Sequence, residues 1–299
     1  MKVSVKKVDA LRREMKFEVP KDRVTKKMDE VLSAIVKEAK IPGFRKGKAP
    51  RNVVASAHGN VAREEMLKNL IPEVYQEGIK NEALDPIDFP LIDQVELKEG
   101  GLVFRAIFDV RPEVEVSDYK GITVTKKSAE VTDEELNRTL DLFKKGRGME
   151  ENATLDDEFA KGMGFPTLED LKKAILRNME MDKERQNRLD VENQLVEVLL
   201  KKAKLQVPQS LVARQIEGRL EDFRQKMKQY GAKDEDVAQR LEENKKQFEE
   251  AAEKDVRLFL ILQKIAQAEN ITVEKNESLP VKVMAFLLKE AKWEEAKNG

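Results

Sequence analysis

The spacing of apolar residues changes within the first forty residues, and this change restricts the fold more than any other feature of the sequence. Met15, Phe17 and Val19 alternate with charged residues, which is the pattern of a half-buried strand. From Asp22 onward the apolar residues follow the three-and-four spacing of one helix face. The sequence therefore predicts strands followed by a helix that ends before Pro42.

A second helix is predicted to begin at Pro50, because a missing N–H costs nothing in a first helical turn. Its pattern is interrupted near Gly59. Two strand-like stretches follow, over residues 87–97 and 102–110, and a Glu-Gly-Gly turn joins them as a hairpin. We therefore predict an α+β N-terminal domain over residues 1–115, with two helices on an antiparallel sheet.

The C-terminal part of the chain is predicted to be an extended all-α domain over residues 167–299. Its helices are expected over residues 167–204, 208–230 and 234–269, with a short last helix after Pro280 that carries Phe286, Leu287 and Trp293. Aromatic residues make up 5% of the chain and charged residues 38%. Helices of this composition cannot enclose a thick core, so apolar surface is expected to remain exposed.

Residues 116–166 are predicted to connect the two domains. Thr132, followed by three acidic residues, predicts the start of a short helix. Residues 146–166 contain four glycines and many acidic side chains without periodicity. That composition predicts a linker.

Composition excludes several kinds of protein. The chain has no cysteine, so disulfides, thiolate nucleophiles and cysteine-based metal sites are excluded. Its start lacks the apolar stretch of a signal peptide, and no run approaches the ~18 uncharged apolar residues of a membrane helix. We therefore expect a cytoplasmic protein that does not bind a membrane.

Positive charge is concentrated at the N-terminal end. The formal net charge is −1, yet the first 51 residues contain 16 basic and 7 acidic side chains. No acidic residue lies between Glu38 and Glu64. An anionic partner is therefore expected at this end of the chain.

The centre of this basic region is a segment bounded by Pro42 and Pro50. Its two glycines permit backbone conformations closed to other residues, and its prolines fix where the helices end and begin. Phe44 is predicted to be exposed beside Arg45 and Lys46, and an aromatic anchor among cations is typical of a binding hot spot. The alternative is an ordinary basic turn, and spacing alone does not decide between them.

The segment Gly43-Phe44-Arg45-Lys46-Gly47-Lys48-Ala49-Pro50 resembles the ribosome-docking signature of bacterial trigger factor, G-F-R-x-G-K-x-P, at every fixed position. The resemblance covers residues 1 to about 145 and returns more loosely from about 155 to 273. It implies that the following residues bind the ribosome: Gly43, Phe44, Arg45, Lys46, Gly47, Lys48 and Pro50. Their partners would be the protein beside the exit tunnel of the large subunit and the adjacent ribosomal RNA.

The sequence departs from this family between its two blocks. Trigger factors usually carry an FKBP-like prolyl isomerase domain there, which needs on the order of 100 residues. Here only a short linker separates Phe143 from Leu155. The family's helical arm is also predicted to be shortened after Asn270. We therefore predict a chain without the isomerase domain, which is not an enzyme.

No residue pattern predicts catalysis, a cofactor or a metal site. His58 is the only histidine, and it lacks the neighbouring carboxylate and nucleophile that a catalytic base would need. The acidic clusters at 133–135, 156–158 and 234–236 match no calcium loop, and they are expected as helix starts.

The sequence therefore favours an ATP-independent chaperone that docks at the exit tunnel and holds newly synthesised, unfolded polypeptides. Two alternatives stay open. One is a prolyl isomerase, an activity that the family name alone would assign, and the other is an exported chaperone of the SurA kind. A protein that binds RNA through its basic end is a further alternative. Weak self-association of the free chain also stays open.

Overall fold

The computed structural model describes residues 1–38, 44–45, 48, 50–146, 148 and 155–296. Within these residues the elements are, in chain order, β1 (Lys2–Lys7), β2 (Arg12–Pro20), α1 (Lys21–Glu38), α2 (Arg51–Asn81), β3 (Leu91–Lys98), β4 (Gly101–Asp109), β5 (Thr123–Lys126), α3 (Asp133–Gly146), α4 (Asp157–Gly162), α5 (Leu168–Lys202), α6 (Gln209–Gln229), α7 (Asp234–Ala268), α8 (Leu279–Glu290) and β6 (Lys292–Glu295). They form two compact units. Unit 1 comprises residues 1–113 and 205–256, and unit 2 comprises residues 114–204 and 257–299.

Unit 1 is built on a four-stranded antiparallel sheet with the order β1-β2-β4-β3. The alternating side chains of β2 and β4 face the same side, because Phe17 is directly opposite Phe104 and Met15 is opposite Ala106. These four residues are fully buried. The strand alternation read from the sequence therefore marks the core face of the sheet.

Helices α1 and α2 cover this face. The buried residues of α2 recur every four positions, at Ala62, Met66, Leu70, Val74 and Gly78, so one stripe of the helix lies on the sheet. The rings of Phe17 and Phe104 stack with centroids 4.6 Å apart, which adds a specific geometry to the apolar burial.

Helix α2 approaches the sheet closely at Gly78. A Cβ atom at this position would lie 2.5 Å from the ring carbon Cε1 of Phe17. Real Cβ contacts are not that short, so Gly78 sets the distance between helix and sheet.

Ion pairs join α1 to α2 on the solvent side of the core. Arg23 pairs with Glu73 at 2.9 Å and with Glu77 at 2.6 Å, and Lys27 pairs with Glu73 at 2.7 Å. Hydrogen bonds from Lys27 and then Arg23 lower the pKa of Glu73 below its usual value. A lowered carboxyl pKa contributes stability that is present at neutral pH and is lost as the pH falls through that pKa. Because Glu73 is about half exposed, this contribution is small.

Unit 1 also contains α6 and residues 234–256 of α7. Arg219 and Gln215 of α6 both donate hydrogen bonds to Asp255 of α7. Farther along the pair, Phe223 meets Phe248 edge to face with centroids 5.5 Å apart. These contacts hold the two helices side by side.

Unit 2 packs short elements around α5. Leu140 of α3, Phe159 and Ala160 of α4, and Leu171 and Ile175 of α5 form one buried cluster. Strands β5 and β6 form a separate two-stranded parallel sheet, and α5 and α8 pack beside it. Parallel strands need a crossover, and here the crossover is the long chain between residues 126 and 292.

The predicted fold class is confirmed: an antiparallel sheet with two helices is followed by a largely helical part. The helix bounds agree with the sequence to within a few residues. The start of α3 is also as expected, since the Thr132 hydroxyl accepts from the Glu135 amide and the Glu135 carboxylate accepts from the Thr132 amide. None of the described helices is long and apolar enough to cross a membrane.

Two elements differ from the sequence interpretation. Helix α4 lies inside the predicted linker, where Asp156 accepts a hydrogen bond from the Phe159 amide and starts the helix. Trp293 was expected on the last helix but lies in strand β6. Both elements are only four to six residues long, and neither is long enough to develop a readable period.

The three-part division at residues 115 and 166 stays a prediction. The compact units group residues by contact, and their segments are not continuous along the chain. Grouping by contact does not test which segment carries which activity.

We expect Gly78→Ala to lower the free energy of unfolding by about 1–3 kcal/mol, because the added methyl group forces Phe17 out of a packed core. The midpoint of urea unfolding measures this change. Gly218→Ala is the matched control, since an added Cβ there meets no described atom within 4 Å. In helix α6 that substitution should stabilise the chain by up to about 1 kcal/mol. A gain in stability from Gly78→Ala would contradict the close approach.

Candidate functional site

The candidate site is the tip between α1 and α2. Of its predicted binding residues, the structure describes Phe44, Arg45, Lys48 and Pro50, whereas Gly43, Lys46 and Gly47 lie outside the described residues. The Phe44 side chain is 43% exposed, as predicted for an aromatic anchor. The Lys48 amide donates to the Arg45 carbonyl at 2.9 Å, so these two cationic residues are joined by a backbone hydrogen bond.

Helix α2 begins directly after Pro50. Pro50 is the N-cap, with an extended backbone at φ −60° and ψ 143°, and its carbonyl accepts from the amides of Val53 and Val54 at 3.0 and 3.1 Å. Proline has no N–H to leave unpaired at this helix start. The expected helix start is therefore correct to within one residue.

The base of the tip is fixed by one apolar contact and one polar contact. Val54 is fully buried against Val53 of its own helix and Ile35 and Val36 of α1. Arg51 donates to the Asp29 carbonyl at 2.8 Å and pairs with the Asp29 carboxylate at 3.1 Å. The start of α2 is thus joined to α1 at Asp29, in the middle of that helix, and at Ile35 and Val36 near its end.

The charge around the tip is positive. Arg45 and Lys48 are exposed, and the sequence places no carboxylate between residues 38 and 64. Asp29 neutralises part of the Arg51 charge, although both side chains are more than half exposed and the pair is weak. An exposed aromatic ring among cations suits contact with a partner that is partly apolar and partly anionic.

His58 interrupts α2 without joining this site. Its backbone is non-helical, at φ −123° and ψ 19°, one residue before the break expected at Gly59. The sequence located the interruption from Gly59, whereas the non-helical conformation falls on the neighbouring residue His58. The exposed aromatic and cationic side chains of the tip can bind a partner. Its described side chains include no base placed beside a nucleophile, as covalent catalysis would need.

Two family models match the first and the last parts of the chain. The family model described as "Bacterial trigger factor protein (TF)" matches residues 1–143, and the model of its C-terminus matches residues 167–280. The chain belongs to the trigger factor family. No family model of a prolyl isomerase domain matches it.

Curated relatives match along most of the chain. Trigger factor from Desulforamulus reducens is 28% identical over 93% of this chain and 87% of its own length. Trigger factor from Geobacter sp. strain M21 is 25% identical over 93% of this chain and 86% of its own length. Over a shorter stretch, 45% of this chain and 30% of the relative, the protein from Natranaerobius thermophilus is 38% identical.

A solved structure shares the fold. It is described as "Promiscuous Substrate Recognition in Folding and Assembly Activities of the Trigger Factor Chaperone", and it aligns with a TM-score of 0.55 and 17% identity over 97% of this chain and 100% of that chain. The likeness concerns the fold alone.

The relatives contain a segment for which this chain has no counterpart. The alignment with the D. reducens protein extends over 378 residues, whereas this whole chain has 299. The two family models leave only residues 144–166 between them. A domain of ordinary size cannot fit into that interval.

We expect Val54→Ala to loosen the base of the tip, because it removes buried methyl groups between α1 and α2. Amide hydrogen exchange of residues 30–38 and 51–57 should become about tenfold faster, while exchange in β2 and β4 stays unchanged. Val61→Ala, on the same helix and 57% exposed, is the control and should leave exchange unchanged. Equal exchange in the Val54 variant and the parent would contradict the contact.

Proposed function

We propose that the chain is an ATP-independent chaperone that docks on the large ribosomal subunit through the tip at residues 43–50. The observation that carries this proposal is Phe44, which is exposed beside the exposed Arg45 and close in sequence to a helix start that Val54 and Arg51 fix. Fixing the base reduces the entropy lost on binding. Phe44, Arg45 and Lys46 contact the protein beside the exit tunnel, and the remaining cations serve adjacent ribosomal RNA.

Newly synthesised polypeptides are the proposed clients. Large apolar side chains remain exposed on the helices, among them Met181 and Leu189 on α5, Phe259 on α7 and Tyr230 directly after α6. Scattered apolar surface of this kind binds unfolded chains weakly and in many registers. Docking compensates for the weak contacts by keeping the client at a high effective concentration.

The proposal includes a division of labour and a location. Residues 1–115 dock on the ribosome, residues 116–166 connect, and residues 167–299 hold clients. Such a protein works in the cytoplasm, where ribosomes and nascent chains are found. Weak self-association of the free chain, away from ribosomes, is compatible with this proposal.

We also propose that the chain lacks prolyl isomerase activity. The family models match its first and last parts and leave 23 residues between them, which is too few for a β-rich catalytic domain. Membership of the family alone would suggest prolyl isomerase activity, whereas this sequence has no room for the FKBP-like domain that carries it.

The triple variant Phe44→Ala, Arg45→Ala, Lys46→Ala should stay folded and lose at least about tenfold in affinity for large ribosomal subunits, since exposed anchor residues contribute to binding and not to the core. Co-sedimentation with purified subunits measures the loss. The control removes one apolar and two cationic side chains from α5: Met181→Ala, Arg185→Ala, Lys173→Ala. Equal co-sedimentation of the tip variant and the parent would rule out docking through this segment.

The purified chain should not accelerate isomerisation of a prolyl tetrapeptide beyond the uncatalysed time of tens to hundreds of seconds. A protease-coupled assay at increasing protein concentration measures the rate. A rate that rises in proportion to the chain's concentration would show that the activity resides outside the missing domain.

A further inference from the structure

The small sheet of unit 2 has two edges that differ in how their backbone groups are satisfied. In the parallel ladder, the amide of Lys292 in β6 donates to the carbonyl of Ile122 at 3.0 Å. The amide of Ala296, directly after β6, donates to the carbonyl of Lys126 at 2.9 Å. Residues 292, 294 and 296 therefore direct their N–H and C=O groups toward β5. By the alternation of a strand, Trp293 and Glu295 direct theirs away from it.

The outer edge of β5 is closed by side chains of α5. Gln194 accepts from the Thr125 amide at 2.8 Å and donates to the Thr125 carbonyl at 2.9 Å. Its amide group thus takes the place of a neighbouring strand. Asn187, itself buried, donates to the Lys127 carbonyl at 2.8 Å. No further strand can add on this side.

The outer edge of β6 is open. Every residue of β6 is exposed, and among the described residues no hydrogen bond is recorded for the outward N–H and C=O groups of Trp293 and Glu295. Native sheets usually cover, twist or shorten such edges. An open edge beside a closed one indicates that the open groups are available to an added strand.

An apolar groove lies beside this edge. Its volume is about 640 Å³, and its apolar lining from α5, α8 and β6 includes Val191, Val281, Met284, Leu288 and Trp293. Charged side chains also line it: Lys126 of β5 and Glu184, Arg188 and Glu192 of α5. Trp293 is 52% exposed and its indole N–H donates to the Leu288 carbonyl at 3.2 Å. In the ladder Trp293 is opposite Val124, so its side chain shares a face of the sheet with the groove.

We propose that the outer edge of β6 binds an extended segment of unfolded polypeptide as an added β-strand, with an apolar side chain beside Trp293 and a cation beside Glu295. This inference rests on the proposed chaperone function and gives that function a specific binding site. The backbone of the client is held by the groups of Trp293 and Glu295. The side chain beside Trp293 is received by the groove, where methionine adapts to different shapes.

The charges at the edge favour a cation in the client. Within the described part of the chain, no ion pair is recorded for Glu294 or Glu295. Lys126 is opposite Glu295 in the ladder, although no ion pair is recorded between their side chains. Opposite charges side by side on neighbouring strands stabilise a sheet, whereas like charges destabilise it. An acidic client segment is therefore disfavoured.

The size of the edge favours a transient client over a second copy of the chain. β6 has four residues and is ~13 Å long. Pairing two such edges buries far less than the ~1,200 Å² of a stable protein interface. A chaperone needs weak and reversible capture, which a short edge supplies.

The test compares Glu295→Pro with Glu295→Ala. Both remove the carboxylate, but only proline removes the outward N–H, and neither removes a donor to β5. The probe is a labelled octapeptide in which every second residue is threonine and the residues between are leucine and lysine in turn, so that leucine and lysine lie on one face of the strand. Fluorescence anisotropy should show roughly tenfold weaker binding to the proline variant than to the alanine variant. Equal affinities would overturn the proposal.

A second measurement uses the unaltered chain, so it does not depend on how the variants fold. Two forms of the probe carry N-methyl groups on alternate sets of amides. Only one edge of an added strand faces β6, so one form should lose at least about tenfold in affinity and the other should bind as the parent peptide does. Equal binding of both forms would overturn strand addition.

Two further readouts separate this inference from the proposed function. Ribosome co-sedimentation should be the same for both variants, since β6 is not part of the tip. Suppression of client aggregation by the unaltered chain reports on the chaperone function itself. If aggregation is suppressed and the probe results fail, only the edge site is wrong. Conversion of a dimer to a monomer by Glu295→Pro, seen by sedimentation velocity, would assign the edge to a second copy and overturn the proposal.

Discussion

The stacking of Phe17 on Phe104 beneath Gly78 is the contact on which unit 1 depends. Helix α2 lies so close to these rings that a Cβ atom at position 78 would be 2.5 Å from Phe17. The buried stripe of α2 then extends from Gly78 back to Ala62, and α1 packs against the same core. Because a packed core deforms little, the part of α2 from Ala62 to Gly78 is held rigidly on the sheet. The first turns of α2 lie beyond the break at His58 and are held against α1 by Val54 and Arg51.

The sequence predicted this part of the molecule well, because local pattern and tertiary packing agree there. The alternation of Met15, Phe17 and Val19 matches the buried face, and the spacing in α1 and α2 matches the faces that touch the sheet. The tip was identified by resemblance and by charge, and its base depends on Val54 and Arg51, which the sequence did not single out. A valine in a helix carries no sign of the partner that it will bury against.

The features that the sequence missed depend on contacts between distant residues. β5 and β6 are four residues each, and their pairing joins residues more than 160 positions apart. Gln194 reads as an ordinary helix residue, yet its amide closes the edge of β5. Trp293 was placed on a helix because an apolar helical run precedes it. Short strands have too few residues to establish a period, and only the fold reveals which of their edges is covered.

The two surfaces of interest solve different binding problems. In the proposed docking at the tip, affinity would come from a few side chains such as Phe44 and Arg45, because the partner would be one defined surface. In the proposed strand addition at β6, the recognised groups would be backbone N–H and C=O, which every polypeptide possesses whatever its sequence. Backbone pairing therefore gives breadth, and the groove beside Trp293 together with Glu295 adds a mild preference. A chaperone that docks at one place and holds many clients would need this combination: one contact that is specific for its location, and another that is nearly indifferent to the sequence it holds.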